Sequence, residues 1–481
     1  MPGAAQATSD QKLSLRALTA LVVGSMIGSG IFALPAAFAR VTGGLGAMVA
    51  WAVAGSGMLM LAFVFQSLAR RRPDLDAGVF AYAKAGFGSY LGFISAAGYW
   101  IGACFADTAC LILIKATLGK FFPIFGDGTT VPAIIGASIL VWGVQVLVLR
   151  GVKQAAGLNA IATYAKIIPI GLFLIVMLTG FRTDIFAANF WGGASHSFGA
   201  IFTQARATML VTVFLFVGIE GASVYSRYAK RREDVGIATV LGFLGVLCLM
   251  VLVTMQSYGV MLQPDLAALG APSMAGVMTH VVGTWGGLLV SVGLLISVLG
   301  NYLSWALLAA EVMNAAARDG VMPTFLAREN AAGAPAAAVW ASNLIIQAFL
   351  IISYFAEEGF TMALKMTGAM TLIPYLLVAA YGVRLGWTGD TYEGLEVKDR
   401  LGDLIRAGLA TFYACLMLVA GGMKFVLLSA LLYFPATLLF VAAMLEQKRP
   451  VFRAAELALL VALALGAAAG VYGLVSGDIT I

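Results

Sequence analysis

Charged residues are scarce in this chain. Of its 481 residues, 11% are charged and 61% are hydrophobic, whereas a soluble globular protein carries about 25% charged residues. A water-soluble domain could not bury so many apolar side chains, which excludes a soluble enzyme, a nucleic-acid-binding protein and a secreted disulfide scaffold. The mean hydropathy of +0.96 and the 56 glycines are typical of packed transmembrane helices.

Cysteine and histidine are rarer still. The four cysteines lie in apolar runs without CxxC spacing, and the two histidines lie far apart in polar connections. This pattern argues against a metal or redox centre and favours a packing role for the cysteines. The chain also lacks a phosphate-binding loop, a zincin motif and a nucleophile elbow. We therefore expect no cofactor and no enzymatic activity.

Apolar runs of about 20 residues can cross a bilayer as helices. Thirteen such runs predict an all-α membrane protein, with room for a miscount of one at Gly421–Gly422 and at Glu446–Arg453. The runs, numbered here as spans 1 to 13, lie near 14–39, 44–68, 89–119, 131–149, 157–180, 203–226, 235–260, 282–317, 337–356, 360–385, 403–420, 424–445 and 453–475.

Lysine and arginine are distributed unevenly between the connections. If the N-terminus is cytoplasmic, the outer connections keep only Arg40, Lys120, Arg182 and Lys424, as the positive-inside rule requires. The net charge of +6 then reflects topology, and we expect a lipid bilayer and no nucleic acid as partner. The predicted organisation is a cytoplasmic tail (1–12), two repeats (13–180 and 203–385), a cytoplasmic loop (386–402), additional helices (403–475) and an external tail (476–481).

Two spans contain glycine-rich breaks. Span 1 has three glycines in Gly24–Gly30, and in span 6 two glycines flank a carboxylate in Gly218–Ser223. An open backbone within lipid is tolerated where it lines a cavity. Because the breaks are five spans apart, and Pro169 and Pro374 recur at the same offset, we predict an inverted repeat of five plus five helices. Half-helix ends can hold the carboxylate and ammonium of an amino acid, and close glycine packing is the alternative explanation.

Four ionisable residues within the spans are candidate functional groups. Glu220, in the span 6 break, is either a carboxylate that changes protonation during transport or a permanent acceptor for the open backbone. Lys166, in span 5, either replaces a coupling cation or extends toward the headgroups. Asp107, in span 3, either faces a cationic substrate group or pairs with a buried base, for which Lys365 in span 10 is one candidate.

Aromatic side chains in the spans could stack on a substrate, with packing as the alternative for each. Trp305 stands out, because the preceding Gly300–Tyr302 predicts an opened polar stretch in span 8. The candidates are Tyr99, Trp100, Phe214, Phe216 and Trp305.

Ten segments of the chain carry a family pattern. They are GSMIGSGIFALP (24–35), LAFVFQSLA (61–69), DAGVFAYAKAGFG (76–88), GYW (98–100), FFPIFG (121–126), AKIIP (165–169), MLVTVFLFVGIEGAS (209–223), VGLLIS (292–297), AARDGVMPTFLARENA (316–331) and LIPYL (372–376). Together they resemble the amino acid–polyamine–organocation transporters over nearly the whole chain. The likeness is greatest to the bacterial basic amino acid/polyamine antiporters, in particular the arginine/ornithine group.

The resemblance implies a LeuT-like fold of about 13 helices that exchanges an amino acid for its amine or product by alternating access, without ATP or a metal. Ser25, Met26, Gly28 and Ser29 would hold the carboxylate and amine of the substrate. Trp305 would stack on the substrate, Glu220 would be a gating or proton-sensing carboxylate, and Lys166 would replace sodium. The further implied positions are Gly30, Asp107, Phe214, Val217 and Lys365 in the substrate site and Tyr99 among the residues for proton coupling or gating.

Three positions depart from the pattern of arginine-handling relatives. Asp107 replaces an Asn, Phe214 replaces a Trp, and Lys365 replaces an uncharged residue. These changes lie at the side-chain end of the pocket and leave the site for the amino acid backbone alone, so they support amino acid antiport more than arginine as the substrate. The leading prediction is arginine/ornithine antiport in a bacterial inner membrane. Histidine/histamine, lysine/cadaverine and tyrosine/tyramine exchange stay open, as does proton-coupled symport. A homodimer through lipid-facing apolar surface also stays open.

Overall fold

The computed structural model describes residues 14–75, 78–150, 152–193, 196–221, 229–356, 358–393 and 396–479. In this part of the chain, 11 helices are long and apolar enough to cross a membrane, and counting two bent helix pairs gives up to 13 spans. The helices of spans 1 to 6 are Leu15–Met26 with Gly30–Ala39, Gly44–Arg71, Ser89–Leu118, Val131–Leu149, Val152–Gly180 and Phe198–Leu215. Those of spans 7 to 13 are Arg232–Tyr258, Thr284–Arg318, Ala336–Phe355, Gly359–Thr388, Val397–Gly421, Met423–Glu446 and Ala454–Ser476.

Both predicted breaks are present in the described residues. Span 1 stops at Met26, resumes at Gly30 and bends by 48° between its two halves. The helix of span 6 ends at Leu215 and continues as turns through Glu220. The rest of the predicted span 6 break, Ala222–Ser223, lies outside the described residues.

Contacts between spans recur in the way that an inverted repeat requires. Span 3 packs against span 10, and the corresponding pair, spans 8 and 5, also pack together. Span 1 contacts span 7, and span 6 likewise contacts span 2. Such pairing places the broken spans 1 and 6 against a frame of spans 3, 5, 8 and 10.

The two long spans begin alike. A short helix precedes each of them, Val79–Phe87 before span 3 and Ser273–Val282 before span 8. The linking residues, Gly88 and Gly283, have φ of +95° and +83°, a region that favours glycine because it lacks a Cβ atom. Both long spans are therefore oriented by a glycine joint that follows an apolar helix.

One expectation about the helices is wrong. Span 8 is a continuous helix from Thr284 to Arg318, so Gly300–Tyr302 is not opened. The polar side chain of Asn301 is satisfied without a break, because it contacts Lys166 and Cys110 on neighbouring spans.

A buried carboxylate joins span 2, span 11 and the loop that precedes span 11. Asp403 is 8% exposed and accepts hydrogen bonds from Ser67 at 2.8 Å, from Arg71 at 2.8 Å and from Tyr392 at 3.2 Å. The Arg71 guanidinium also lies 3.6 Å from the centroid of the Tyr392 ring, and Arg406 forms a second ion pair with Asp403 at 3.2 Å. We call these five residues the Asp403 clamp.

Candidate functional site

The breaks of spans 1 and 6 touch each other. The Ser25 hydroxyl lies 2.9 Å from the carbonyl oxygen of Gly218. Gly218 has a φ of +107°, and a Cβ atom there would lie 2.8 Å from the carbonyl oxygen of Ser25. This close approach explains why glycine, rather than a residue with a side chain, stands at the turn of span 6.

Glu220 is held by three spans. Its side chain is 1% exposed, and Tyr99 of span 3 donates a hydrogen bond to one carboxylate oxygen. Tyr375 of span 10 donates to the other oxygen at 2.6 Å, and the backbone N–H of Gly218 donates to it at 3.2 Å. The carboxylate therefore ties the open turn of span 6 to spans 3 and 10.

Lys166 connects the break of span 1 to span 8. Its ammonium donates to the carbonyl oxygen of Gly24 at 2.7 Å and to the side-chain oxygen of Asn301 at 3.3 Å. The residue is 1% exposed, so it does not extend toward the headgroups. A cation at this point satisfies a carbonyl that the broken helix leaves without its usual partner.

The remaining predicted residues of span 1 are packed closely against spans 6 and 8. Met26 is 3% exposed and Ser29 is 0% exposed. A Cβ atom on Gly28 would lie 2.9 Å from the Asn301 amide, and one on Gly30 would lie 2.7 Å from the Phe214 ring. Both glycines thus permit close packing, which the sequence offered as the alternative explanation for the glycine-rich run.

Aromatic rings cover the site from spans 3, 6 and 8. Trp305 is 5% exposed and Phe214 is 9% exposed. The Trp305 and Tyr99 rings lie 6.2 Å apart between centroids. Val217, which is 3% exposed, follows Phe214 at the turn of span 6, so these predicted substrate residues are all buried.

Asp107 and Lys365 do not pair, which corrects one alternative raised by the sequence. Asp107 is 0% exposed, and neither carboxylate oxygen has a hydrogen-bond partner among the described residues. The Lys365 ammonium instead lies 5.9 Å from the centroid of the Phe425 ring, and the residue lines a cavity together with Arg40 and Glu358. The two residues differ in depth, because Asp107 lies about 16 Å along span 3 from Leu118 and Lys365 lies about 9 Å along span 10 from Gly359.

Two cavities approach the site from opposite faces. The larger, about 570 Å³, reaches Tyr99 and Glu220 from the end of span 8. Its lining contains the carboxylates of Asp74, Glu220, Glu311 and Glu329 and one base, Arg318. The smaller, about 220 Å³, is lined by Arg40, Glu358 and Lys365. We call the first the acidic cavity.

Comparison with known proteins identifies the family to which this chain belongs. The model of the amino acid permease family matches residues 13–470. The chain belongs to the amino acid permease family. An arginine/ornithine antiporter from Pseudomonas aeruginosa is 51% identical over 98% of this chain and 99% of the relative. An L-lysine transport protein from Corynebacterium glutamicum is 39% identical over 99% and 97%. An arginine/agmatine antiporter from Chlamydia trachomatis is 37% identical over 87% of each chain.

Three residues of this amino acid permease escaped prediction from sequence. Tyr375 binds Glu220, and Asn301 contacts Lys166. Glu311 lines the acidic cavity. Two signals were available in the sequence. Tyr375 lies in the family segment LIPYL, and Asn301 lies one helical turn before Trp305. Neither signal showed which partner the side chain contacts.

Proposed function

We propose that this permease exchanges arginine for ornithine across the bacterial inner membrane by alternating access. The observation that carries the proposal is the 51% identity to an arginine/ornithine antiporter over nearly the full length of both chains. Both substrates carry the same charge at neutral pH, so one-for-one exchange moves no net charge.

The acidic cavity supports a cationic substrate. Four carboxylates and one guanidinium line it. Arg72 pairs with Asp74 and Arg318 with Glu329, so the excess of negative charge within the lining comes from Glu220 and Glu311, and such an excess in a cleft concentrates cations. Within this lining, hydrogen bonds from Arg72 lower the pKa of Asp74, so this carboxyl stays ionised at neutral pH.

The substrate backbone, in this proposal, binds at the break of span 1. Gly28 and Ser29 lie in the break, and Ser25, Met26 and Gly30 lie at the helix ends that flank it, where backbone N–H groups suit a carboxylate and free carbonyls suit an ammonium. Trp305 and Phe214 then cover the substrate. Lys365, in the smaller cavity, contacts the substrate on its way in or out rather than at the span 1 break.

Glu220 and Lys166 are assigned to the conformational change between the inward-open and outward-open states. Glu220 with Tyr99 links spans 3 and 6, and Lys166 links the span 1 break to spans 5 and 8. A transition that moves the broken spans against this frame has to exchange these contacts. The two groups therefore bias the equilibrium between the inward-open and outward-open states.

Counterflow in proteoliposomes tests the exchange. Vesicles are loaded with ornithine, labelled arginine is added outside, and empty vesicles serve as control. We expect uptake only into loaded vesicles. Equal uptake into empty vesicles driven by a pH gradient would contradict antiport and favour symport. Vesicles loaded with histamine, cadaverine or tyramine test the other amine pairs.

Lysine is the second candidate substrate. The relative described as an L-lysine transport protein is 39% identical over 99% of this chain. If lysine-loaded vesicles take up labelled lysine but not arginine, the proposed function becomes lysine exchange instead of arginine/ornithine exchange.

Asp107 is assigned to the cationic end of the substrate side chain. A buried carboxylate without a partner among the described residues is costly, and a substrate cation would satisfy it. We expect Asp107→Asn to weaken the binding of arginine and ornithine by at least about tenfold, since a hydrogen bond to a charged group contributes about 1.5–3 kcal/mol. Competition assays with arginine, ornithine, citrulline and norvaline measure the change. An equal loss of affinity for cationic and neutral amino acids would show that Asp107 does not bind the cationic end of the side chain.

A further inference from the structure

An apolar groove lies at the end of spans 2, 6 and 11 that the predicted topology places at the outer face. Its volume is about 420 Å³, and one charged side chain, Arg206 of span 6, lies among its described lining residues. The apolar residues come from all three spans, and Trp191 and His196, from the connection ahead of span 6, also line the groove. The apolar lining residues include Leu45, Val49, Val53, Phe202, Met209 and Leu416.

Arg206 lies at membrane depth. It is about 12 Å along the helix from Phe198, where span 6 begins. The side chain is exposed, and no hydrogen bond or ion pair joins it to another described residue. An arginine that faces hydrocarbon is costly unless it reaches an anion or the headgroup layer.

The direction of the helix indicates where the guanidinium points. Side chains of a helix lean toward its N-terminus, and the N-terminus of span 6 is at the outer face. Arg206 is therefore directed along the groove toward Trp191 and His196, whose rings stack 4.2 Å apart. Aromatic rings of this kind mark the level of the lipid headgroups.

We propose that this groove binds an anionic phospholipid, with the phosphate on Arg206 and an acyl chain between spans 2, 6 and 11. The guanidinium is a suitable donor for phosphate, and the apolar lining suits a hydrocarbon chain. This site is separate from the substrate pocket.

A second copy of the chain fits the groove less well. A two-fold interface pairs the same surface with itself, so it would bring two Arg206 side chains together. The described lining of the groove contains no carboxylate that could neutralise them. Phospholipid supplies the anion that the protein surface lacks.

Span 6 gives the site a consequence for transport. The helix that carries Arg206 ends at Leu215, directly before the turn that holds Glu220. A lipid held between spans 2, 6 and 11 restrains the outer half of span 6. Bound lipid should therefore change the rate of exchange.

The test uses the purified full-length protein and phosphatidylglycerol. Arg206→Gln is compared with Arg449→Gln, a matched loss of an exposed positive charge outside the groove. Native mass spectrometry counts retained lipid, and the apparent Tm is measured with added phosphatidylglycerol or phosphatidylcholine. We expect Arg206→Gln to weaken phosphatidylglycerol binding by at least about tenfold, with Arg206→Lys intermediate and Arg449→Gln unchanged.

Three outcomes would overturn the proposal. One is equal retention of phosphatidylglycerol by Arg206→Gln and Arg449→Gln. Another is equal stabilisation of the unsubstituted protein by phosphatidylglycerol and phosphatidylcholine. The third is a disulfide-linked dimer formed in high yield by Phe202→Cys, which would assign the groove to a second copy. Circular dichroism and size-exclusion profiles show that each variant is folded before these comparisons.

Discussion

Glu220 brings together residues that are far apart in the chain. Tyr99 and Tyr375 approach its carboxylate from spans 3 and 10, while the N–H of Gly218 approaches from the same turn. Each donor stabilises the charged form of a carboxylate. Loss of one donor should therefore shift the turn of span 6 while the other donors keep their contacts with Glu220.

Removing the hydroxyl of Tyr375 tests this arrangement. We expect Tyr375→Phe to lower the rate of arginine/ornithine exchange by about tenfold, because a hydrogen bond to a charged group contributes about 1.5–3 kcal/mol. Tyr413→Phe is the control, since the Tyr413 hydroxyl is buried without a partner among the described residues. Initial rates of counterflow give the comparison, and equal rates for both variants would show that the Tyr375 contact does not matter for transport.

Sequence patterns identified charged residues of the site more readily than their neutral partners. Glu220 and Lys166 are conspicuous because ionisable groups are rare in membrane spans. Tyr375 and Asn301 are not, because tyrosine and asparagine in a helix have many packing roles. The pairing of Asp107 with Lys365 was wrong because charge alone does not fix the depth of a residue along its helix.

At the scale of elements, the turn of span 6 depends on one glycine. Gly218 has a φ of +107°, and a Cβ atom would lie 2.8 Å from the Ser25 carbonyl. Other residues in such a conformation cost about 1–3 kcal/mol. The break is therefore specified by backbone geometry as well as by Glu220.

Gly218→Ala should lower the apparent Tm of the purified protein and slow exchange. Gly171→Ala is the matched control, because Gly171 lies within the span 5 helix and a Cβ atom there meets nothing within 4 Å. The control should be neutral or slightly stabilising, since alanine is the better helix former. Tryptophan fluorescence during heating measures both variants. Superimposed melting curves would contradict the strain at Gly218.

Helix breaks were predicted well where glycines flank the turn, and poorly where a polar residue was the signal. In span 8, Asn301 suggested an opening, yet the helix is continuous from Thr284 to Arg318. Lys166 and Cys110 satisfy the Asn301 amide from neighbouring spans. A polar side chain in a span can therefore mark a contact between helices, and the sequence alone does not separate the two cases.

The Asp403 clamp provides a second test between elements. Asp403 is 8% exposed and its Arg71 partner is 13% exposed, so removal of the carboxylate leaves buried donors without an acceptor. We expect Asp403→Ala to destabilise the protein by about 3–5 kcal/mol. Asp184→Ala breaks the exposed pair with Arg182 and should cost less than about 1 kcal/mol.

Urea titration monitored by fluorescence in detergent compares the two clamp variants. Because salt screens exposed pairs more than buried ones, added salt should reduce the small effect of Asp184→Ala but not the effect of Asp403→Ala. A similar small loss in both variants would mean that the clamp contributes little to stability.

At the scale of the whole molecule, the uneven distribution of lysine and arginine was the strongest topological signal. The described residues contain 11 candidate spans, or up to 13 when each bent helix pair counts as one span. This range includes the count of thirteen that the charge distribution requires. The orientation stays a prediction. An odd number of spans places the two ends of the chain on opposite sides of the membrane.

Cysteine accessibility tests that orientation. In a background that lacks Cys248 and Cys415, the two exposed cysteines of the described chain, Gly477→Cys marks the end after span 13 and Lys398→Cys marks the first turn of span 11. We expect a membrane-impermeant maleimide to label Gly477→Cys in intact cells and Lys398→Cys only after permeabilisation, because basic connections favour the cytoplasm. Labelling of both positions in intact cells would mean that one of spans 11 to 13 does not cross the membrane. The reverse pattern would place the N-terminus outside and assign the acidic cavity to the external face.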